Sequence, residues 1–248
     1  MVGKPKSAEM RAGPGFRVRE EISRPPADVV RGFAEIDSPE VSDFMNRLYT
    51  MSSEIQAMTP DSPSVVGPAC TVKVFPGDNL MVHKCLDVAK PGDVVVVDSK
   101  SSTAALGDLI STKARHRGIA GFVVDGLIRD LSDIRALGDF PVFARGVTPI
   151  GPLHRGPGEI NYPIAAGGVV VEPGDVIVAD TNGVVVVPRG FSVELLGQLQ
   201  GREEAARAYN EAVARGEFDN AWVDSILEEG GVDSGVGAAD PVKPPGNR

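Results

Sequence analysis

The sequence predicts an α/β fold, and three observations carry that prediction. Residues 94–97 are four consecutive valines, a run too apolar to alternate, which indicates a strand buried on both faces. A helical pattern and a second apolar run at 121–124 follow, which together make a right-handed βαβ unit. The last third is rich in β-branched runs, and the pattern P-G-D-V-x-V-x-D occurs at both 91–98 and 173–180. That repeat predicts two β-layers entered through the same turn.

The first half of the chain alternates helical and strand patterns. Residues 1–22 show no period and predict a flexible arm, followed by a single domain over 23–228. Helices are predicted near 25–34 and from Ser38, where Ser38 can cap and Pro39 suits the first helical position. The remaining elements of this half are a strand at 64–75 interrupted by Gly67-Pro68, a helix at 81–88, the strand at 94–97 and a helix at 107–117.

The second half is mostly strand until its last long helix. After the strand at 121–124 we expect a short helix at 132–137 and a short strand at 141–144. Strands follow at 169–171, 176–178 and 184–187, and Asn182-Gly183 between the last two is a strong hairpin signal. A helix is predicted over 193–215, and residues 229–248, rich in Gly, Pro and Asp, are expected to be disordered.

Composition and charge exclude several classes of function. The chain has 248 residues, a net charge of −9 and one tryptophan, which disfavours binding to nucleic acid. Cys70 and Cys85 form no C-x-x-C pair and the three histidines are scattered, so a zinc site is not expected. No apolar run approaches 20 residues, so we expect a cytoplasmic protein that does not bind membranes.

Two segments follow the predicted parallel strands, where ligands of α/β sheets gather. The first ends in Gly107, Asp108, Leu109 and Ile110, which open a helix whose free N–H groups can bind an anion. The second is residues 125–130, which end in Arg129 and Asp130; these suit a carboxylate and a hard cation, respectively. Alternatively, Asp108 only compensates the helix dipole and the Arg-Asp doublet is a surface ion pair. A third basic candidate, Lys100, is favoured as a solvated loop charge over a Schiff-base lysine.

Taken together, Asp108, the twenty residues 109–128 and then Arg129-Asp130 resemble the catalytic signature of a known family. This is the family of 4-hydroxy-4-methyl-2-oxoglutarate aldolases, grouped with the regulator of ribonuclease activity A (RraA). The flanking segments 91–93, 118–126, 141–146 and 180–184 resemble the same family, so the likeness covers residues 25–215. It implies an RraA-like fold, a layered α/β/β/α sandwich of the swivelling ββα type.

The resemblance also implies roles for individual residues. Asp130 binds Mg²⁺ or Mn²⁺ directly, and Asp108 reaches the ion through a water. The backbone amides of residues 107–110 hold the pyruvyl carboxylate, while Arg129 contacts the substrate and neutralises the developing enolate. A Glu from the C-terminal helix of a neighbouring subunit approaches the site in this family, and here Glu203 or Glu204 is in the matching region.

The function that follows is a divalent-metal-dependent (class II) pyruvate aldolase. Its substrates are 4-hydroxy-2-oxo acids such as 4-hydroxy-4-methyl-2-oxoglutarate or 4-carboxy-4-hydroxy-2-oxoadipate, with oxaloacetate decarboxylation as a side activity. The family implies a homo-oligomer of three or six chains. Two alternatives stay open: a non-catalytic regulator that binds a ribonuclease, and a lyase that acts on a sugar-derived 2-oxo acid.

Overall fold

The computed structural model describes residues 9–60 and 64–232, with the side chains of 203–206 left undescribed. Its contacts divide the chain into two compact units, Met1–Gly201 and Arg202–Arg248. The predicted single domain of residues 23–228 extends across the boundary between Gly201 and Arg202. The predicted disordered tail lies mostly at 233–248, outside the described residues.

The order of the elements alternates strands and helices up to residue 147 and is then mostly strand. The strands are β1 (Phe16–Val18), β2 (Gln56–Ala57), β3 (Val65–Val74), β4 (Val94–Asp98), β5 (Ala104–Leu106), β6 (Gly121–Ile128), β7 (Val142–Val147), β8 (Gly158–Ile160), β9 (Ile164–Ala166), β10 (Val169–Val171), β11 (Val176–Asp180) and β12 (Gly183–Val187). The α-helices are α1 (Ala27–Gly32), α2 (Ser38–Phe44), α3 (Leu80–Val88), α4 (Asp108–His116), α5 (Leu131–Arg135), α6 (Ser192–Ala214) and α7 (Ala221–Glu229).

A parallel sheet forms the centre of the first unit. Strands β3, β4, β6 and β7 lie side by side, all parallel, with Val94 opposite Gly121 in the β4–β6 pair. The four valines of β4 are fully buried, as the absence of alternation predicts. Helix α4 connects β4 to β6 across one face, which confirms the βαβ unit.

The second β-layer is built on the hairpin β11–β12. Asp180 pairs with Gly183 at the turn, so the Asn-Gly hairpin is confirmed. Strand β3 belongs to both layers: its first half pairs antiparallel with β11 and its second half parallel with β4. The sequence predicted an interruption at Gly67-Pro68, but β3 runs through it because Pro68 pairs with Val176 on the β11 side.

The alternation of side chains shows the order of the layers. In β4, Val95 and Val97 pack with helices α3 and α4, whereas Val94 and Val96 pack with the inner face of the second layer. The outer face of that layer, which includes Val176, is covered by α1, α2 and the start of α6. The fold is therefore the α/β/β/α sandwich expected from the sequence.

The repeated P-G-D motif forms the same turn in both layers. Gly92 and Gly174 both have φ of +87°, which favours glycine. Asp93 accepts a hydrogen bond from the amide of Lys90 at 2.8 Å, and Asp175 accepts one from the amide of Glu172 at 2.8 Å. The prediction of two layers entered by one kind of turn is confirmed.

The start of α2 shows a cap that the sequence assigned differently. Helix α2 begins at Ser38, as predicted, but the Ser38 side chain does not cap it. The amide and hydroxyl of Ser38 instead both donate to the carboxylate of Asp180, each at 2.7 Å. Asp180 at the end of β11 therefore fastens α2 to the second layer.

The flexible arm predicted over residues 1–22 is wrong for Phe16–Val18. These residues form β1, which pairs in parallel with β8, and Arg17 contacts Glu159 at 2.6 Å. Three residues are too few for a periodic signal, so the strand could not be seen in the sequence. In the second unit, the described residues contain the unpredicted helix α7. Across the described residues, no helix is long and apolar enough to span a membrane.

Candidate active site

A cavity of about 190 Å³ opens at the carboxyl ends of the parallel strands, where the sequence placed the site. All six predicted site residues line it, together with five residues that the sequence analysis did not assign to it. The predicted residues are Gly107, Asp108, Leu109, Ile110, Arg129 and Asp130. The others are Asn79, His83, Leu106, Pro152 and His154.

Strand β5 brings the two halves of the motif together. It lies parallel to the end of β6, and the amide of Arg129 donates to the carbonyl of Leu106 at 3.0 Å. Residue 107, which opens α4, is thereby placed beside residues 129 and 130. The twenty residues between Asp108 and Arg129 contain most of α4 and all of β6, which bring the chain back to the same edge of the sheet.

Asp130 is held in an unusual backbone conformation against a glycine. Its φ and ψ are +55° and +41°, in the left-handed region, which Asp tolerates better than most residues. A Cβ on Gly107 would overlap Asp130 Oδ2 and would lie 3.1 Å from Cγ of Arg129. An alanine at position 107 would therefore force the Asp130 carboxylate to move.

Arg129 lies across the mouth of the cavity. Its Nε is 3.2 Å from Asp130 Oδ2, and the two side chains are 44% and 35% exposed. A Cβ on Gly151 would be 2.7 Å from Nη1 of Arg129, so the guanidinium lies against the backbone of the facing loop. The Arg129–Asp130 ion pair, which was the alternative interpretation of this doublet, is therefore present. Both residues also line the pocket.

The N-terminus of α4 supplies backbone donors to the same cavity. Ser111 is the residue whose amide donates to the carbonyl of Gly107, so the amides of 108–110 have no partner in the helical ladder. Leu109 is 66% exposed and Ile110 is buried, which anchors one side of this turn in the core. The helix N-terminus and Arg129 together make the pocket attractive to a carboxylate.

The opposite side of the pocket is formed by Asn79, His83 and His154, called here the histidine wall. Asn79 is 2% exposed; its Nδ2 donates to the carbonyl of Ala105 at 3.0 Å, and its Oδ1 lies 2.6 Å from His154 Nδ1. The rings of His83 and His154 meet edge to face with centroids 5.3 Å apart. The sequence analysis treated the histidines as scattered, which is wrong for these two.

The loop that carries His154 is fastened on both sides. The amide of Ala104 donates to the carbonyl of Ile150 at 2.9 Å, and the amide of Asn79 donates to Leu153 at 2.9 Å. The amide of Arg155 donates to Asp78 at 2.5 Å. No local pattern in residues 148–157 indicates these contacts, so the histidine wall could not be predicted from the sequence.

The surroundings of His83 disfavour its protonated form. Burial lowers the pKa of His83, and the nearby His154 and Lys113 lower it further. A proton on His83 would lose hydration and would lie near the cationic Lys113.

The donors present suit a hard divalent cation that keeps its water. Within the described residues there is no group of three or more His, Cys, Asp or Glu side chains arranged to enclose a metal. Asp108 and Asp130 nevertheless line one cavity. One or two carboxylates with several waters is the donor set that Mg²⁺ accepts.

Lys100 lies in a loop outside this cavity and its side chain is 51% exposed, so the prediction of a solvated loop charge is confirmed. Its Nζ is 2.7 Å from the carbonyl of Ala165, 3.3 Å from Asp98 and 3.7 Å from the buried Asp125. Asp125 also pairs with Arg145. The lysine therefore balances carboxylates at the end of β4. The side chains of Glu203 and Glu204, the predicted contributions to a neighbour's site, lie outside the described residues.

Fold and pocket together define a class: an α/β/β/α sandwich with an anion-attracting, small-molecule-sized site at its strand ends. The family described as RraA-like, Aldolase/RraA, matches residues 38–186, and the chain belongs to this family.

Individual relatives agree with this membership. The chain is 40% identical over 195 residues to a Halalkalibacterium halodurans protein named "Putative 4-hydroxy-4-methyl-2-oxoglutarate aldolase", which covers 78% of this chain and 92% of the relative. The structure is also similar to the crystal structure of Streptomyces coelicolor RraAS2, with a TM-score of 0.68 and 31% identity over 76% of this chain and 99% of that chain. That protein is described as an unusual member of the RNase ES inhibitor RraA protein family. The RNA-processing inhibitor RraA from Thermus thermophilis is similar with a TM-score of 0.58 and 29% identity, over 62% and 94%.

Proposed function

We propose that the protein is a divalent-metal-dependent aldolase that cleaves 4-hydroxy-2-oxo acids and releases pyruvate. The observation that carries this proposal is the meeting of Asp108, Arg129 and Asp130 in one pocket beside the amides of α4. Candidate substrates are 4-hydroxy-4-methyl-2-oxoglutarate, named for the relatives, and 4-carboxy-4-hydroxy-2-oxoadipate. Oxaloacetate decarboxylation follows from the same chemistry, because both reactions pass through the enolate of pyruvate.

The helix N-terminus, Arg129 and the two aspartates have separate roles in this reaction. The amides of residues 108–110 bind the carboxylate of the pyruvyl part, since they point out of the helix N-terminus. Arg129 contacts the same part and stabilises the negative charge that develops on the enolate. Asp130, with Asp108 through water, is the holder of Mg²⁺ or Mn²⁺, and the bound ion supplies Lewis acidity toward the 2-oxo group.

The test is pyruvate release from a panel of 4-hydroxy-2-oxo acids, measured with and without excess chelator. We expect turnover with Mg²⁺ or Mn²⁺, its loss on chelation and its return when metal is restored. Oxalate, a flat dianion that mimics the enolate, should inhibit competitively. The panel also covers the alternative of a lyase for sugar-derived 2-oxo acids. Full activity in excess chelator contradicts the metal assignment.

A non-catalytic function is the second candidate, because two structural relatives are described by their inhibition of RNA processing. A ribonuclease-binding regulator would bind its partner in a pull-down and release no pyruvate from any panel member. The complete Asp108, Arg129 and Asp130 set favours the enzyme.

We also propose that the active protein is a homo-oligomer of three or six chains. Leu109 lines the pocket and is 66% exposed, and Val147, which lines a second cavity shared with Arg129 and Asp130, is 48% exposed. These exposed apolar side chains support cover by another surface. Light scattering of the active preparation checks this, and a 26 kDa monomer contradicts it.

A further inference from the structure

We propose that His154 is the general base of the aldol cleavage and accepts the proton of the C4 hydroxyl at its Nε2. This assignment rests on the proposed function. Its observation is the 2.6 Å hydrogen bond between His154 Nδ1 and Asn79 Oδ1, inside the pocket that holds the catalytic motif.

The partners of Asn79 decide which ring nitrogen carries the proton. The amide nitrogen of Asn79 donates to the carbonyl of Ala105, so the amide oxygen is the atom that faces the ring. An amide oxygen only accepts, and therefore His154 Nδ1 must donate. In the neutral imidazole the other nitrogen, Nε2, then holds a free lone pair, which is the requirement for a base.

The contact with Asn79 leaves Nε2 available to a ligand. Asn79 is buried and takes the Nδ1 side of the ring, whereas His154 itself is exposed and lines the cavity. A pocket of about 190 Å³ is smaller than a typical site for a drug-sized ligand. A substrate whose carboxylate lies at α4 and Arg129 therefore extends toward the opposite, histidine wall.

His83 is the other candidate on this wall, and its surroundings are less suitable. Among the described residues no hydrogen-bond partner orients its ring, whereas Asn79 orients His154. Its edge contact with His154, at 5.3 Å between centroids, fits a packing role. Orientation by a second group is the usual feature of an effective catalytic histidine.

The proposed step is balanced in atoms and electrons. The proton of the C4 hydroxyl moves to His154 Nε2, the hydroxyl oxygen forms a carbonyl with C4, and the C3–C4 bond breaks. The electron pair of that bond becomes the enolate of pyruvate. The imidazolium then returns its proton to C3, which yields pyruvate and restores the neutral ring.

Oxaloacetate decarboxylation provides an internal control for this role. Carbon dioxide leaves from a carboxylate that has no hydroxyl proton to remove, so no base is needed, and the enolate takes its proton from water. A residue that acts as base affects aldol cleavage alone. A residue that only maintains the shape of the pocket affects both reactions.

The experiment compares both reactions in His154→Gln, with His83→Gln and His116→Gln as matched variants. Glutamine keeps a donor for Asn79 but cannot accept a proton at neutral pH. We expect kcat for aldol cleavage to fall on the order of 10²–10⁴-fold in His154→Gln while decarboxylation stays within a few-fold. His83→Gln should lower both reactions by a similar factor. His116 is exposed in the last turn of α4, so His116→Gln should change neither reaction.

A second variant guards against a folding defect. In His154→Ala, added imidazole should restore part of the aldol cleavage and leave decarboxylation unaltered, with the melting temperature recorded for each protein. Equal losses in both reactions, or no loss in His154→Gln, overturn the assignment. Decarboxylation without aldol cleavage in the parent protein overturns it too, whereas absence of both reactions there overturns the proposed function itself.

Discussion

The two walls of the pocket are built in different ways. The motif wall, consisting of residues 107–110 with Arg129 and Asp130, comes from one βαβ unit and its strand ends. The histidine wall joins Asn79, at the start of α3, to His154, which is 75 residues away in the sequence. The first wall is local in topology, whereas the second exists because hydrogen bonds fasten the 148–155 loop over β5.

This difference separates the common chemistry from the choice of substrate. A carboxylate and an enolate are shared by every substrate of the proposed reaction, and the motif wall is suited to both. The part of the proposed substrates beyond C3 varies, and we expect it to meet the histidine wall. Changes in the motif wall should therefore abolish both activities together, whereas a change of His154 in the histidine wall should separate them.

Among changes in the motif wall, Gly107→Ala is expected to cause a large loss in the rates of both reactions. Its Cβ would overlap Asp130 Oδ2, so the carboxylate and Arg129 must move. Displacement of catalytic groups by about 1 Å can cost about 10²-fold in rate, and we expect at least this loss in both aldol cleavage and decarboxylation. Gly197→Ala is the matched control, since a Cβ there meets nothing within 4 Å and α6 tolerates alanine. Retention of either activity in Gly107→Ala would break the contrast between the walls.

Most of the fold was predictable because its signals are local. Local residue types alone indicate the structure of three features: the four valines of β4, the Asn-Gly hairpin and the repeated P-G-D turn. Strand β1 and helix α7 were missed. Three residues of β1 are ordered by Glu159 and by pairing with β8, and neither contact leaves a pattern in residues 16–18.

The residues of the candidate site also differ in whether local sequence patterns indicate them. Gly107, Asp108, Arg129 and Asp130 were predictable, because a strand end and a helix start at fixed spacing are visible in one sequence. Asn79 and His154 were not, since their contact depends on the path of a loop that carries no periodicity. Lys100 is the exposed loop charge that the sequence predicted, but its contact with the buried Asp125 depends on tertiary packing, which a sequence does not display.

A smaller effect is expected from Asp108→Asn. In the proposed metal site Asp108 would reach the ion only through water, and removal of such an outer contact typically costs 10–100-fold. We expect a loss in that range in both reactions and a higher requirement for Mg²⁺. Asp133→Asn, which changes an exposed first-turn acid of α5, is the control that should leave the metal requirement unchanged. If the Mg²⁺ requirement of Asp108→Asn is unaltered, Asp108 does not contribute to metal binding. The residue then only compensates the dipole of α4.

The smallest effect is expected from Lys100→Met. Lys100 balances Asp98 and Asp125 away from the pocket, so kcat should stay within a few-fold. Borohydride reduction in the presence of pyruvate should leave no covalent adduct detectable by mass spectrometry. A trapped adduct on Lys100 would move the chemistry to the end of β4 and make the motif wall incidental.

The rate of Arg129→Lys tests the enolate site most directly. Lysine keeps the positive charge but loses the planar fork of the guanidinium, so a bidentate contact cannot be reproduced. With Mg²⁺ supplied and the fold verified by the melting temperature, we expect kcat for pyruvate release to fall on the order of 10²–10³-fold. Arg115→Lys alters an exposed ion pair with Asp139 and should keep the parent rate. If Arg129→Lys also stays within a few-fold of the parent, Arg129 is only a surface ion-pair partner of Asp130, and the pocket is not the aldolase site.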